Sequence, residues 1–187
     1  SDLLHRDVKP SNVLLPGATE TSDARSLSPR LTDFGLAKLM DDGLAPIQAA
    51  TATGLVMGSP PYMAPEQASG RRQQVDRRTD VYGLGAVLYE LLTLRPPFRG
   101  DTPAETLGMV MVDEPVPVRV LRPGIPRSLE AIVLQCLEKS PDRRYPTVDA
   151  LRDDLEAFLA GRRVQARRPG PAERLRRWAR RRPRSAA

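Results

Sequence analysis

Cysteine is almost absent from this sequence: Cys136 stands alone in 187 residues. One thiol cannot close an internal bridge, so the fold does not rest on disulfides, and a reducing cytoplasm is the expected setting. Cys136 lies in an apolar helical pattern, which marks it as a packed thiol and not a redox centre. Aromatic residues are also scarce, at 4%. Long apolar runs are missing, since the longest uncharged one, Val81 to Tyr89, is far too short to cross a bilayer. The N-terminal residues carry no signal-peptide pattern. What remains is ordinary globular composition, enough for one domain or one domain with a tail. A chain of this size buries roughly 70% of its unfolded surface, so it needs no metal to hold it together.

Lysine is rare too, with three against twenty-six arginines. The net charge of +6 is unevenly spread. Residues 161–187 hold eleven arginines against Glu173 alone, a balance of +10, which leaves the first 160 residues at −4. The basicity belongs to a tail, and the part expected to fold is mildly acidic.

The stretch with the most chemistry is His5-Arg6-Asp7-Val8-Lys9-Pro10-Ser11-Asn12, followed by Val13-Leu14-Leu15. It brings an acid, a base and a carboxamide into one short segment. Lys9 precedes a proline, which pushes its backbone toward an extended form. The segment reads as a loop projecting polar groups, anchored by a buried apolar strand. Asp33-Phe34-Gly35 and Ala64-Pro65-Glu66 follow in that order. Taken together, the three stretches resemble the catalytic loop, the metal-binding triplet and the end of the activation segment of protein kinases. Either short triplet alone would be weak, and an isolated Asp-x-Lys-Pro is most often a solvated turn.

That resemblance implies phosphoryl transfer, which asks a protein mainly to position groups and neutralise phosphate charge. Asp7 would orient or accept the proton of the attacking hydroxyl, and Lys9 would place a charge near the transferred phosphate. Asn12 and Asp33 offer hard oxygen ligands, suited to Mg²⁺ with ATP. A lysine two residues after Asp7 resembles the serine/threonine branch. His5, Phe34 and Gly35 complete the motifs. Arg6 would pair with a phosphate on the activation segment, with Thr51 and Thr53 as candidates, although both also read as ordinary loop threonines. Ser59, in Gly58-Ser59-Pro60-Pro61-Tyr62, would bridge to Asp7 and Lys9 from a substrate-docking turn. Glu66 would pair with Arg144, where two surface charges would otherwise be the plain expectation. Asp80 would accept hydrogen bonds from the catalytic-loop backbone, and its place at a helix start also suits an N-cap.

Along the chain, residues 16–29 lack periodicity and read as a loop, which the kinase resemblance implies is an insertion lengthening a short hairpin, and Arg30-Leu31-Thr32 then leads as a strand into Asp33. Asp80 to Thr93 is apolar on nearly all sides, the pattern of a buried central helix. Thr102-Pro103-Ala104-Glu105 signals a helix start, with that helix running to about Val112. Four prolines in residues 115–126 suggest an extended connector. Ser128 to Glu138 is amphipathic, and Thr147 caps a last helix reaching about Leu159. Val148, Leu151, Leu155, Phe158 and Leu159 are expected on its inner side.

The fold expected is therefore mainly α with a small β-hairpin, a kinase-like C-terminal lobe over residues 1–160 with a flexible Arg-rich tail over 161–187. A Gly-rich phosphate loop and its partner lysine are not found, and Gly83-Leu84-Gly85 lacks the third glycine of such a run. The expected function is a bacterial-type serine/threonine protein kinase acting on protein substrates. By this reading the chain is a truncated part of it, unable to grip ATP alone, whose central helix leaves an apolar patch exposed. The alternative is a catalytically silent lobe whose tail binds a membrane or nucleic acid. For the tail, a solvated charge run competes with attachment to anionic lipid, with Trp178 at the interface. No aromatic series interleaves the arginines, which disfavours nucleic acid.

Overall fold

The computed structural model describes residues 4–17, 23, 27–33 and 59–166. The described chain is mostly helical with one two-stranded antiparallel sheet. Strand β1 (Val13–Leu14) pairs with β2 (Arg30–Leu31), Val13 opposite Leu31 and Leu14 opposite Arg30. The expectation of a buried strand fails, because Leu14 and Leu15 are 51% and 44% exposed. A ribbon this short has little surface to bury side chains against.

Six α-helices follow among the described residues: α1 (Pro65–Ala68), α2 (Arg77–Thr93), α3 (Pro103–Val112), α4 (Val118–Leu121), α5 (Arg127–Cys136) and α6 (Val148–Leu159). Local chemistry sets most of their boundaries. Thr102 and Thr147 accept from the backbone N–H groups of Glu105 and Ala150, at 3.1 Å each, as capping threonines do. Helix α2 starts a turn earlier than its apolar residues suggest, and Asp80 is not its cap. Asp76 is: its carboxylate accepts from Arg78 N at 2.8 Å, and the Thr79 hydroxyl accepts from Asp76 N at 3.3 Å. Asp80 is thereby left for a different partner. At the other end α2 stops at Leu94 in the left-handed region, ahead of Pro96 and Pro97.

Two further expectations need correction. Residues 115–126 are not wholly extended, because Pro117 leads into α4, whose Val118 is fully buried. Glu130 holds that turn in place, its Oε1 accepting from Arg119 N at 3.0 Å. On α6, Leu151, Asp154 and Ala157 are buried, whereas Val148 and Leu159, in the terminal turns, are 43% and 80% exposed. Asp154 earns its inner place by accepting three hydrogen bonds, from the Tyr145 hydroxyl and from Gln165 N and Ala166 N. Those bonds fold residues 164–166 back onto the helical core, where Val164 and Ala166 pack.

The core surrounds α2. Tyr82, Ala86 and Tyr89 pack with Ala64, Val118, Val133 and Leu137. Val81 joins Ile132, Cys136, Tyr145 and Leu151 on another side. Cys136 is a fully buried thiol, as its setting in the sequence implies. A Cβ on Gly85 would fall 2.3 Å from the Cys136 Cβ, so only glycine lets α2 and α5 approach this closely. A third cluster of Ala68, Phe98, Leu107 and Val110 joins α1 to α3. Leu91, at 70% exposure, is the main apolar side chain that α2 leaves in solvent. Among the described residues, no helix is long and apolar enough to cross a membrane.

Candidate active site

The loop before β1 is shaped first by its own sequence. Lys9 is fully extended, at φ −154° and ψ 162°, as the following proline requires, and Pro10–Asn12 then form a 3₁₀ turn. This turn brings Asn12 back over Asp7. The Asn12 Nδ2 donates to the Asp7 carbonyl at 2.8 Å and to its carboxylate at 3.2 Å. Lys9 Nζ donates to the same carboxylate oxygen at 2.6 Å. Asn12 is buried, while the Asp7 and Lys9 side chains keep 34% and 21% of their surface. A carboxylate held by two donors, with a face open to solvent, is placed to meet a ligand.

The second strand brings in the next piece. Thr32 N donates to the Asn12 carbonyl at 2.9 Å, and the Thr32 carbonyl accepts from His5 Nε2 at 2.8 Å. Because a carbonyl only accepts, the buried His5 ring carries its proton on Nε2. Asp33 follows directly, solvent-exposed and in the left-handed region at φ 62°. Asp33 is thus the neighbour in sequence of a residue bonded through its backbone to Asn12. Its companions Phe34 and Gly35 lie outside the described residues, as do Thr51 and Thr53.

Tertiary contacts hold the loop backbone. Asp80 accepts from His5 N at 2.9 Å and from Arg6 N at 2.8 Å, one carboxylate oxygen to each. Arg6 itself is left-handed at φ 65°, a conformation that disfavours any side chain by roughly 1–2 kcal/mol. Its carbonyl accepts from Gln67 Nε2 at 2.7 Å. A Cβ on Gly83 would lie 2.9 Å from the Val8 Cβ, so the glycine in α2 is what lets the loop seat against the helix.

The Glu66–Arg144 pair forms, and it is more completely enclosed than two charges usually are. The pairing is bidentate at 2.7 and 2.8 Å, with side-chain exposures of 1% and 0%. Arg144 also donates to the carbonyls of Arg78, Glu138 and Lys139, and Thr79 donates to Glu66 at 2.9 Å. Its guanidinium stacks 4.9 Å from the Tyr82 ring centre. Nearby, Ser59 precedes the Pro60–Tyr62 turn, and among the described residues its hydroxyl makes no hydrogen bond to Asp7 or Lys9. The Tyr62 hydroxyl donates to Glu90 at 2.6 Å; burial first, and then this carboxylate, push the phenol above its ordinary range.

The structure therefore gathers His5, Arg6, Asp7, Lys9, Asn12 and Asp80 around one loop, with Asp33 next in the chain after Thr32, and pairs Glu66 with Arg144. Residues not flagged by the sequence are Gln67, Thr32, Thr79 and Glu90. The spacing of Gln67 from the start of α1 was the one available signal, since a glutamine there can cap the helix backbone. Among the described residues, no group of three or more His, Cys, Asp or Glu is placed to hold a metal. An Mg²⁺ ion typically takes only one or two protein carboxylates, with phosphates and waters completing its shell. Asp33 and Asn12 fit that sparse donor set, Asn12 through its carboxamide oxygen because its nitrogen is engaged at Asp7.

Comparison with known proteins bears on the same residues. The protein kinase domain model matches residues 1–155. The chain is 42% identical to a probable serine/threonine-protein kinase of Streptomyces coelicolor, over 88% of this chain and 22% of that protein. It is 37% identical to the serine/threonine-protein kinase PknB of Mycobacterium leprae, over 88% of this chain and 24% of that one. It is also 40% identical to the tyrosine-protein kinase MasK of Myxococcus xanthus, over 85% and 22%. The chain thus spans about a quarter of the length of these relatives.

Proposed function

This chain belongs to the protein kinase domain family, and we propose that it supplies the catalytic loop of a serine/threonine protein kinase that moves the ATP γ-phosphoryl group to a protein hydroxyl. The observation that carries this reading is the Asp7 carboxylate, held by Lys9 and Asn12 beside the backbone that delivers Asp33. Asp7 would orient the attacking hydroxyl and take its proton late in transfer. Lys9, already at the Asp7 carboxylate, would place its charge by the phosphoryl oxygens. Asn12 and Asp33 would hold Mg²⁺. When bound, the ion neutralises charge on the phosphates and so lets a hydroxyl approach. His5, Asp80 and Gly83 do no chemistry in this scheme; they fix the backbone from which Asp7 projects.

The choice of serine/threonine over tyrosine rests on Lys9 and on the names of two of the three relatives. Asp7→Asn in the kinase that carries this chain should lower kcat by about 10²–10⁴-fold while leaving ATP affinity largely intact. Acid hydrolysis of the labelled product would then name the acceptor. Phosphotyrosine alone would overturn the serine/threonine assignment, and undiminished transfer by the Asp7→Asn variant would overturn the role of Asp7. For residues 161–187 the favoured partner is an anionic lipid surface, supported by their +10 balance. Retention on RNA at the same salt would redirect that reading.

A further inference from the structure

Gln67 joins two parts of the molecule that are otherwise far apart in sequence. Its Oε1 accepts from Ala64 N at 3.0 Å, closing the first turn of α1, and its Nε2 donates to the Arg6 carbonyl at 2.7 Å. The two partners fix the orientation of the amide, because a backbone N–H can only donate and a carbonyl can only accept. Arg6 is one of three non-glycine residues in the left-handed region among those described. Its backbone is held at both ends, by Asp80 at the N–H and by Gln67 at the carbonyl. Asp7 is the next residue. The direction in which its carboxylate leaves the loop is set by this strained peptide.

We propose that Gln67 is a positioning residue that makes the conformation of Arg6, and through it the aim of Asp7, depend on the docking of α1. The reading rests on the function proposed above for Asp7. Strained backbone persists only where its surroundings over-determine it. Asp80 comes from the central helix α2 and holds the Arg6 N–H. Gln67 sits at the C-terminal end of the segment running from Asp33 to Glu66, so its bond to Arg6 forms only when that end is seated. Helix α1 is seated in turn by the buried Glu66–Arg144 pair, which lies one residue before Gln67. A carboxamide is the group this bridge requires, as it must donate at one end and accept at the other. An ionised glutamate has the same shape but would set oxygen against the Arg6 carbonyl.

Hydrogen exchange on the full chain tests the bridge without any need for catalysis. With Gln67→Ala, protection of the Arg6 and Asp7 amides should fall about tenfold, the scale of one lost hydrogen bond. Amides in α6 serve as the internal reference and should not change. Gln67→Glu should lose as much protection at pH 8 and recover it on acidification, when the protonated carboxyl can again donate to Arg6. Unchanged loop protection in Gln67→Ala, or equal loss in α6, would overturn the proposal. So would a Gln67→Glu chain whose loop protection ignores pH. In the kinase that carries the chain, the same variants should lower kcat and leave KM for ATP alone. If the parent kinase transfers no phosphate at all, the functional reading fails while the exchange result still decides the role of Gln67.

Discussion

Arg144 and Arg152 lie close in sequence, each paired to carboxylate, yet they do opposite things for the molecule. Arg144 is fully enclosed, and each of its donors meets an acceptor: Glu66 twice and three carbonyls. Arg152 is 58% exposed on the outer face of α6, among Asp149, Asp153 and Glu156. These carboxylates raise the Arg152 pKa, the Asp153 hydrogen bond most. Water would solvate Arg152 almost as well as they do, so its pairs are interchangeable with solvent. Water cannot reach Arg144, so removing either member of its pair strands the other. The number of partners is similar in both places. What differs is the alternative open to each charge when a partner goes.

The sharpest break in that comparison is Arg144→Ala. It should destabilise the chain by roughly 3–5 kcal/mol, read as a drop in urea midpoint, because Glu66 is left buried with Thr79 alone. A drop no larger than that of an exposed variant would refute the contrast. Next comes Gly85→Ala, which forces a methyl into Cys136 and should destabilise by about 1–3 kcal/mol. Gly108→Ala, with nothing within 4 Å of its added Cβ, should instead gain about 0.5–1 kcal/mol by helix propensity. If the two alanines behave alike, close packing at Gly85 is not what the structure implies.

A subtler test uses the four tyrosines, Tyr62, Tyr82, Tyr89 and Tyr145. Burial is the main cause raising each phenol above its ordinary value of 10.0, helped by Glu90 at Tyr62 and Asp154 at Tyr145. A raised folded-state pKa means the associated stability is whole below pH 10 and is lost as pH climbs past the unfolded value. Tyrosinate absorbance should therefore appear only with alkaline unfolding, and a smooth titration in the folded chain near pH 10 would contradict the buried environments. The smallest effect belongs to Arg152→Ala, where the melting midpoint should not move measurably, at low or high salt.

Much of the site was legible before the fold was known, since loop chemistry is written in consecutive residues. Asp7, Lys9 and Asn12 are close in sequence, and Pro10 dictates the turn that folds them together. Thr102 and Thr147 announced their helices through the same kind of short-range bond. The start of α2 was misplaced because its cap, Asp76, precedes the apolar pattern by several polar residues. The inner place of Asp154 was missed because an aspartate reads as surface until its donors, from Tyr145 and residues 165 and 166, are folded around it. The spacing of Gln67 could have announced only its cap of α1, because the other half of its role lies at Arg6, distant in sequence.

The sequence by itself determined the chemistry offered: which acids, amides and cations exist, and which short stretches turn, cap or break. Only the tertiary structure decided which of them face each other. Local bonds form between neighbours whatever the rest of the chain does, but Glu66 meets Arg144 in a core closed to water, and Asp80 meets the loop of Arg6, only once the chain has folded. Tertiary packing alone brings residues this distant in sequence within bonding reach, because no local turn can span the gap between them.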